Sequence, residues 1–294
     1  MKNKRKIRKI ICTVLVIAVL AGIFAAVTVY QNTRYIISEY TFASDRLPDS
    51  FIGYRIAHIS DLHGYEWDGL CDSVRDGEPD IIVITGDIIG YEDTDVSGAL
   101  DTVRALCDIA PVYYVTGNHE YLSFKYYKLR NGMTDAGVHI LANEAEDIVI
   151  GDDRIRICGL HDPSFATGED AKHDEMQTAL DQKLGSIMNG EGDFTILLAH
   201  RPEYYPLYSA YSVDLTFSGH AHGGAVCLPL IGALFAPGQG LLPGLVEGLH
   251  ADEKSAIVIS RGLGDSTAPF RVNCPYELVF VTLTQGDLDM IKGE

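Results

Sequence analysis

The sequence predicts an α/β body of two packed sheets behind one N-terminal membrane-spanning helix. Three observations carry that reading. From residue 54 onward, short apolar runs alternate with polar loops and amphipathic segments, the rhythm of strand–helix–strand units with parallel pairing. Several runs, "DIIVITG" at 80–86 and "FTILLAH" at 194–200 among them, are continuously apolar, as strands buried on both faces are. Residues 10–30, "IICTVLVIAVLAGIFAAVTVY", hold no charge at all.

That last stretch would span roughly 31 Å as a helix, about the hydrocarbon thickness of a bilayer. It follows "MKNKRKIRK", which carries six of the 23 basic side chains. A cleaved signal has a shorter apolar core and a small-residue cleavage site. The run is long and no clean A-x-A ends it, so an uncleaved single-pass anchor is expected, with secretion after cleavage as the alternative. Basic flanks stay in the cytoplasm, which puts the body on the outer side.

The chain has 294 residues, 47% hydrophobic and 22% charged, a mix that argues against disorder. Its net charge is −18 although the basic residues crowd at the start. So acidic a body repels phosphate backbones and argues against nucleic acid as a partner. Five of the six cysteines lie outside the anchor and show no CxxC spacing, which excludes the usual thiolate metal sites. They are expected to pack as small hydrophobes or, outside the cytoplasm, to pair in part.

Taken in order, residues 31–50 read as a linker with an opening strand, punctuated by Pro48. "YRIAHIS" (54–60), "DIIVITG" and "PVYYVTG" (111–117) read as strands, with helices over 67–77 and 95–108 between them. In the second helix Val96, Leu100, Val103 and Leu106 recur at helical intervals. A further helix is predicted over 121–136. "DIVIGDDRIRICGL" (147–160) reads as a hairpin turning at "GDD". A helix over about 170–189 follows, then strands at 194–200 and 213–220. "SAIVISRGLG" and "YELVFVTLT" near the end are predicted to belong together in a second sheet. His58 lies inside a strand and should be packed; His139, His173 and His250 read as surface residues.

Polar residues gather just past the carboxyl ends of five strands. These are Asp61-Leu62-His63, Asp87, Asn118-His119-Glu120, His200, and His220-Ala221-His222. Ligand sites of parallel sheets lie at such ends. Oxygen and imidazole donors without thiolate suit Mn, Fe or Zn. The inventory is too large for one ion and fits two, bridged by a carboxylate. Glycine precedes Asp87, Asn118 and His220, where close backbone approach would require it.

In this order, the motifs Asp61-x-His63, Gly86-Asp87, Gly117-Asn118-His119-Glu120, His200 and Gly219-His220-Ala221-His222 resemble the calcineurin-like metallophosphoesterase family. "GHAHGG" and "LPLIGALFAPG" are similar to its membrane-associated branch. The resemblance implies a four-layer αββα sandwich: two mixed sheets flanked by helices, over residues 51–294. It implies one divalent ion on Asp61, His63, Asp87 and His222, and a second on Asp87, Asn118, His200 and His220. His119 would be catalytic, acting near the leaving group, and Glu120 would cap or orient the helix that follows. Departures from the family pattern, "GYEW" after His63, Ala221 and Ala225, touch none of these ligands and bear on substrate contacts.

The implied reaction is hydrolysis of phosphoester bonds by a metal-bridging hydroxide, with lipid-linked or headgroup phosphates among the expected substrates. A pyrophosphatase of a nucleotide-linked lipid and a non-catalytic metal-binding scaffold are the alternatives; the scaffold would lack ligands, and none is missing. Arg201, His161 and Arg271 are weaker candidates for substrate contact. The loop-rich apolar segment "VCLPLIGALFAPGQGLLPGL" (226–245) packs as core or forms a lip against the bilayer.

Overall fold

Residues 2–188, 193–265, 270–286 and 292–293 are described by the structure, a computed structural model. Helix α1 (Lys2–Gln31) is long and apolar enough to cross a membrane, and its apolar side chains, such as Leu15, Leu20 and Phe24, are exposed. Strand β1 (Tyr35–Ala43) follows almost at once, so most of the expected linker is regular structure.

Parallel strands β2 (Arg55–Ile59), β3 (Ile81–Ile84), β4 (Val112–Tyr114) and β5 (His139–Ile140) come next. Helices α2 (Leu70–Asp76) and α3 (Ser97–Cys107) connect the first three. The single helix predicted over 121–136 is two, α4 (Asn118–Leu122) and α5 (Tyr126–Asp135). Ser123 between them is extended, and its hydroxyl accepts from the Lys125 amide, the local competition by which serine interrupts helices.

Strands β6 (Glu144–Ile150) and β7 (Asp153–Gly159) form the predicted hairpin. Helices α6 (Ser164–Thr167) and α7 (His173–Ile187), strand β8 (Thr195–Leu198), helix α8 (Tyr205–Ser209) and strand β9 (Leu215–Ser218) follow. Two small hairpins come after them: β10 (Cys227–Leu228) with β11 (Gly232–Ala233), and β12 (Phe235–Ala236) with β13 (Gly240–Leu241). The chain continues through β14 (Gly248–Ala251), β15 (Ala256–Ile259), β16 (Tyr276–Thr284) and β17 (Lys292–Gly293).

The sheet orders are β17-β1-β16-β2-β3-β4-β5 and β14-β15-β9-β8-β7-β6. The last two long strands therefore do not share a sheet, contrary to expectation. β15 lies parallel to β9 in the second sheet, while β16 enters the first, antiparallel to β2 and parallel to β1. Each is an apolar run that needs neighbours on both sides, and its periodicity does not say which neighbours.

Strand alternation sorts the core into three layers. Ile81 and Val83 face the second sheet, meeting Ile157, Ile196 and Phe217, while Ile82 and Ile84 face Leu100, Val103 and Leu129 of α3 and α5. On the far side Leu197, Ile257 and Ile259 pack on Met176, Leu180 and Tyr208 of α7 and α8. Helix, sheet, sheet, helix is the predicted four-layer order. Each fully buried side chain of this kind contributes about 1.5–3 kcal/mol. Strands β2, β3 and β4 of one sheet and β8 and β9 of the other lead into the polar clusters.

Candidate metal centre

The backbone at the strand ends is unusual. Asp61, His63, Asp87, His220 and His222 all have positive φ, between 46° and 65°. Side chains other than glycine pay roughly 1–2 kcal/mol for that region, and it persists only where the surroundings over-determine it. Here the Asp61 and His63 amides donate to the carbonyls of Gly86 and Asp87 at 3.0 and 2.9 Å. Glu120, fully buried, accepts from the amides of Gly117 (2.7 Å), Asp87 (2.8 Å) and Ile88 (2.8 Å). It caps α4 and also fixes the loop that carries Asp87. At Gly86 (φ 93°) a Cβ would run into the Gly117 backbone, which meets the expectation that glycine serves close approach there.

Three groups each hold donor atoms within 4.8 Å of one another: Asp61, His63 and His222; Asp87, His200 and His220; and His63, Asp87 and His119. His222 Nε2 lies 3.4 Å from Asp61 Oδ1 and 3.2 Å from His63 Nε2. In the second group His200 Nε2 lies 3.1 Å from His220 Nδ1 and 3.2 Å from Asn118 Oδ1. Asp87 Oδ2 stands between the groups, 3.8 Å from His63 Nε2 and 3.2 Å from His200 Nε2.

The electrostatics suit cations. Burial pushes His63 down to about 3 and takes His220 and His222 well below the usual imidazole range, so all three are neutral, the form in which imidazole binds metal. Burial also acts against charge on His200, but the Asp87 carboxylate overrides it and draws the group up to about 10. Burial raises Asp61 to about 6, against the pull of His200. Asp87 is held well below the carboxylate range despite its burial, by His200 above all. Without metal the His200 proton offsets part of this convergence of buried oxygens and nitrogens, and His220 Nε2 is left with no hydrogen-bond partner, as in a site built around a cation. The donor set fits divalent metal.

A profile described as calcineurin-like phosphoesterase matches residues 54–224. The chain belongs to that family. It is 28% identical over 281 residues to the uncharacterized metallophosphoesterase YkuE of Bacillus subtilis (strain 168), covering 90% of this chain and 93% of that one. To the phosphodiesterase YaeI of Escherichia coli (strain K12) it is 26% identical over 244 residues, 80% of this chain and 84% of that one. Among solved structures, a dimetal phosphatase from Danio rerio superposes with a TM-score of 0.42 at 15% identity, over 72% of this chain and 88% of that chain. As a calcineurin-like phosphoesterase, the protein is a metal-dependent hydrolase of phosphoesters.

The phosphoesterase's other candidates fall in different places. His119 lines the crevice of about 380 Å³ that opens over Asp87, Asn118, His220 and His222. Its amide donates to Asp87 Oδ1 at 2.8 Å, and its Nδ1 accepts from the Tyr91 amide at 3.3 Å. Arg201 also lines the crevice, but its guanidinium is bound to Asp162 (2.8 Å), Ser164 (2.9 Å) and Glu169 (2.7 Å). Arg271 is buried behind the site and donates to His222 Nδ1 (3.1 Å) and the Gly264 carbonyl (2.5 Å). His161 bonds Thr116 Oγ1 and borders a separate pocket with Phe165. His58 is fully buried, as expected.

Sequence reasoning missed Glu203, Tyr204 and His173, which line the crevice. The His173 ring, read as a surface group, is exposed but stacks on Tyr204 at 4.6 Å. Glu203 stands three residues from His200, the one signal that pointed to it. Nothing in the sequence places α7's first residue beside the crevice.

Proposed function

We propose that this protein hydrolyses phosphodiesters with two divalent ions, Mn, Fe or Zn, on the outer side of the membrane that α1 spans, lipid headgroup phosphates among its substrates. One ion would be held by Asp61, His63, Asp87 and His222, the other by Asp87, Asn118, His200 and His220. The observation that carries the reading is Asp87 Oδ2 within 4 Å of an imidazole of each group. Bound there, the two ions would polarise a phosphoryl oxygen and lower the pKa of water.

The chain's own groups supply the rest. His119 Nδ1 accepts a backbone hydrogen bond, so the neutral ring carries its proton on Nε2. From the crevice wall that Nε2–H can donate a hydrogen bond to the leaving or a non-bridging oxygen and stabilise the charge that develops there. The Asp87 carboxylate fixes the backbone of His119, so one side chain would hold metal and orient that catalytic donor. With Arg201 already neutralised by Asp162 and Glu169, attraction for phosphate falls to the ions. The name of YaeI, a phosphodiesterase, supports diesters.

Elemental analysis of purified protein, with an aryl phosphodiester assay in Mn, tests the reading. Asp87→Asn should lose metal and turnover together. Retained turnover would contradict the bridging role, and metal binding without hydrolysis of any ester would favour a scaffold. Protease access to the body in sealed cells tests the side of the membrane.

A further inference from the structure

Segment 226–242, next to the crevice, is apolar where it meets solvent. Leu230 is 108% exposed relative to an extended residue, Leu241 81%, Leu242 65%, Ile231 60% and Phe235 56%. Leu230 and Leu242 also have positive φ, 71° and 52°. A branched side chain held fully in water on a strained backbone gains nothing for folding. Such tips, clustered on two adjoining hairpins, mark an interaction surface.

The hairpins are knitted together and to the anchor. The Leu234 amide donates to Val226 O and the Leu242 amide to Leu234 O, both at 3.0 Å, so the two hairpins are joined at Leu234. Val226 pairs with Val272. One residue earlier, Arg271 exchanges two hydrogen bonds with Asn32: its amide donates to Asn32 Oδ1 (2.8 Å) and its carbonyl accepts from Asn32 Nδ2 (2.7 Å). Asn32 is the residue after α1 ends. Phe270, beside Arg271, is 53% exposed as well. The apolar hairpins are thus fastened to the point where the anchor leaves its helix.

The second hairpin also reaches the site. Its turn residues Pro237 and Gly238 line the crevice over Asp87, His119 and His222, while Phe235 and Leu241 at its strands face solvent. From this geometry we infer that hairpins β10–β11 and β12–β13 dock into the outer surface of the bilayer that α1 spans and bring the crevice onto the phosphodiesters of lipid headgroups. The inference rests on the proposed hydrolysis only for its substrate class; the docking stands on the hairpins and their tie to the anchor. A few leucines and a phenylalanine entering the headgroup boundary are what interfacial anchors use, and α1 removes the entropic cost of finding the surface.

The test uses the full chain in vesicles of phosphatidylcholine, phosphatidylethanolamine and phosphatidylglycerol. Leu230→Trp adds an indole to the single Trp67 of the parent. Brominated phosphatidylcholine should quench the added fluorescence. No quenching beyond that of the parent overturns docking, and it is also the result if a second copy of the chain covers the hairpins. In a second arm, Leu230→Ser, Ile231→Ser, Leu241→Ser and Leu242→Ser are combined. Headgroup release should fall about tenfold or more with the loss of four apolar contacts, while soluble aryl diester turnover stays within about twofold. Equal losses, or none, overturn the role in presenting lipid. A parent that cleaves the soluble ester and no vesicle lipid removes the substrate class; a parent that cleaves neither removes the hydrolase reading and leaves the quenching result to decide docking alone.

Discussion

Glu120 ties the loop of Asp87 to the start of α4, and its replacement should separate these parts. The carboxylate faces four amide donors, at 2.7, 2.8, 2.8 and 3.4 Å, two on each oxygen. Glu120→Gln keeps the shape but turns one oxygen into a donor that confronts donors. The less costly orientation gives up the Ile88 bond and the long Ile89 contact. Burial first, and Asp87 next, push Glu120 up to about 8, so at about pH 9, where it is charged, each hydrogen bond to it contributes about 1.5–3 kcal/mol, and an amide left unpaired in the interior costs a similar amount. The loss should be about 2–4 kcal/mol, within the 5–15 kcal/mol that holds a domain of this kind. Urea unfolding of metal-free protein, read from the midpoint at constant slope, measures it. Metal affinity should drop in parallel, because the positive φ of Asp87 loses its support. Exposed Glu144→Gln is the control, expected within about 0.5 kcal/mol. A Glu120→Gln loss no larger than the control's would refute the argument that these amides set the loop.

Two further outcomes concern buried groups. Burial lowers His58 to about 3 in the fold against 6.5 unfolded, so its stabilisation is complete above pH 6.5 and is lost as the pH falls toward 3; relative to His58→Gln, the parent should lose about 1.4 kcal/mol per pH unit in that window, measured by urea unfolding at stepped pH. Gly86→Ala adds a methyl against Gly117 at φ 93° and should cost about 2–5 kcal/mol from backbone strain and overpacking, visible as a lowered thermal midpoint.

Much of the site was legible because strand ends declare themselves. Continuous runs such as 80–86 and 194–200 had to be buried strands, and the polar residues just beyond them had to lie at the sheet's edge. Asp61, Asp87, Asn118, His200 and His220 emerged from that logic alone. Less visible was how the pieces are held. The reach of Glu120 across 33 residues to the Asp87 amide leaves no periodic trace. Positive φ at five polar positions is similarly hidden, since it stays uncommon even for aspartate and histidine, where it is enriched. The placement of β16 was missed for a physical reason too. An apolar strand is complementary to either sheet, and only the packing of the whole decides. His173 shows the same limit: a residue at the start of a helix, polar and exposed, becomes part of a crevice wall only through tertiary placement.

Strand β1 runs beside β16 along nine residues, Tyr35 to Ala43 against Tyr276 to Thr284. Its other neighbour, β17, comes later still. Strand β1 therefore waits during synthesis for partners more than two hundred residues downstream. Over that interval the nascent chain keeps an unmatched strand edge, and edges of that kind recruit foreign strands. Completion of the first sheet requires synthesis through β16, so a ribosome that stalls before residue 276 should leave a chain dependent on chaperones until it is degraded.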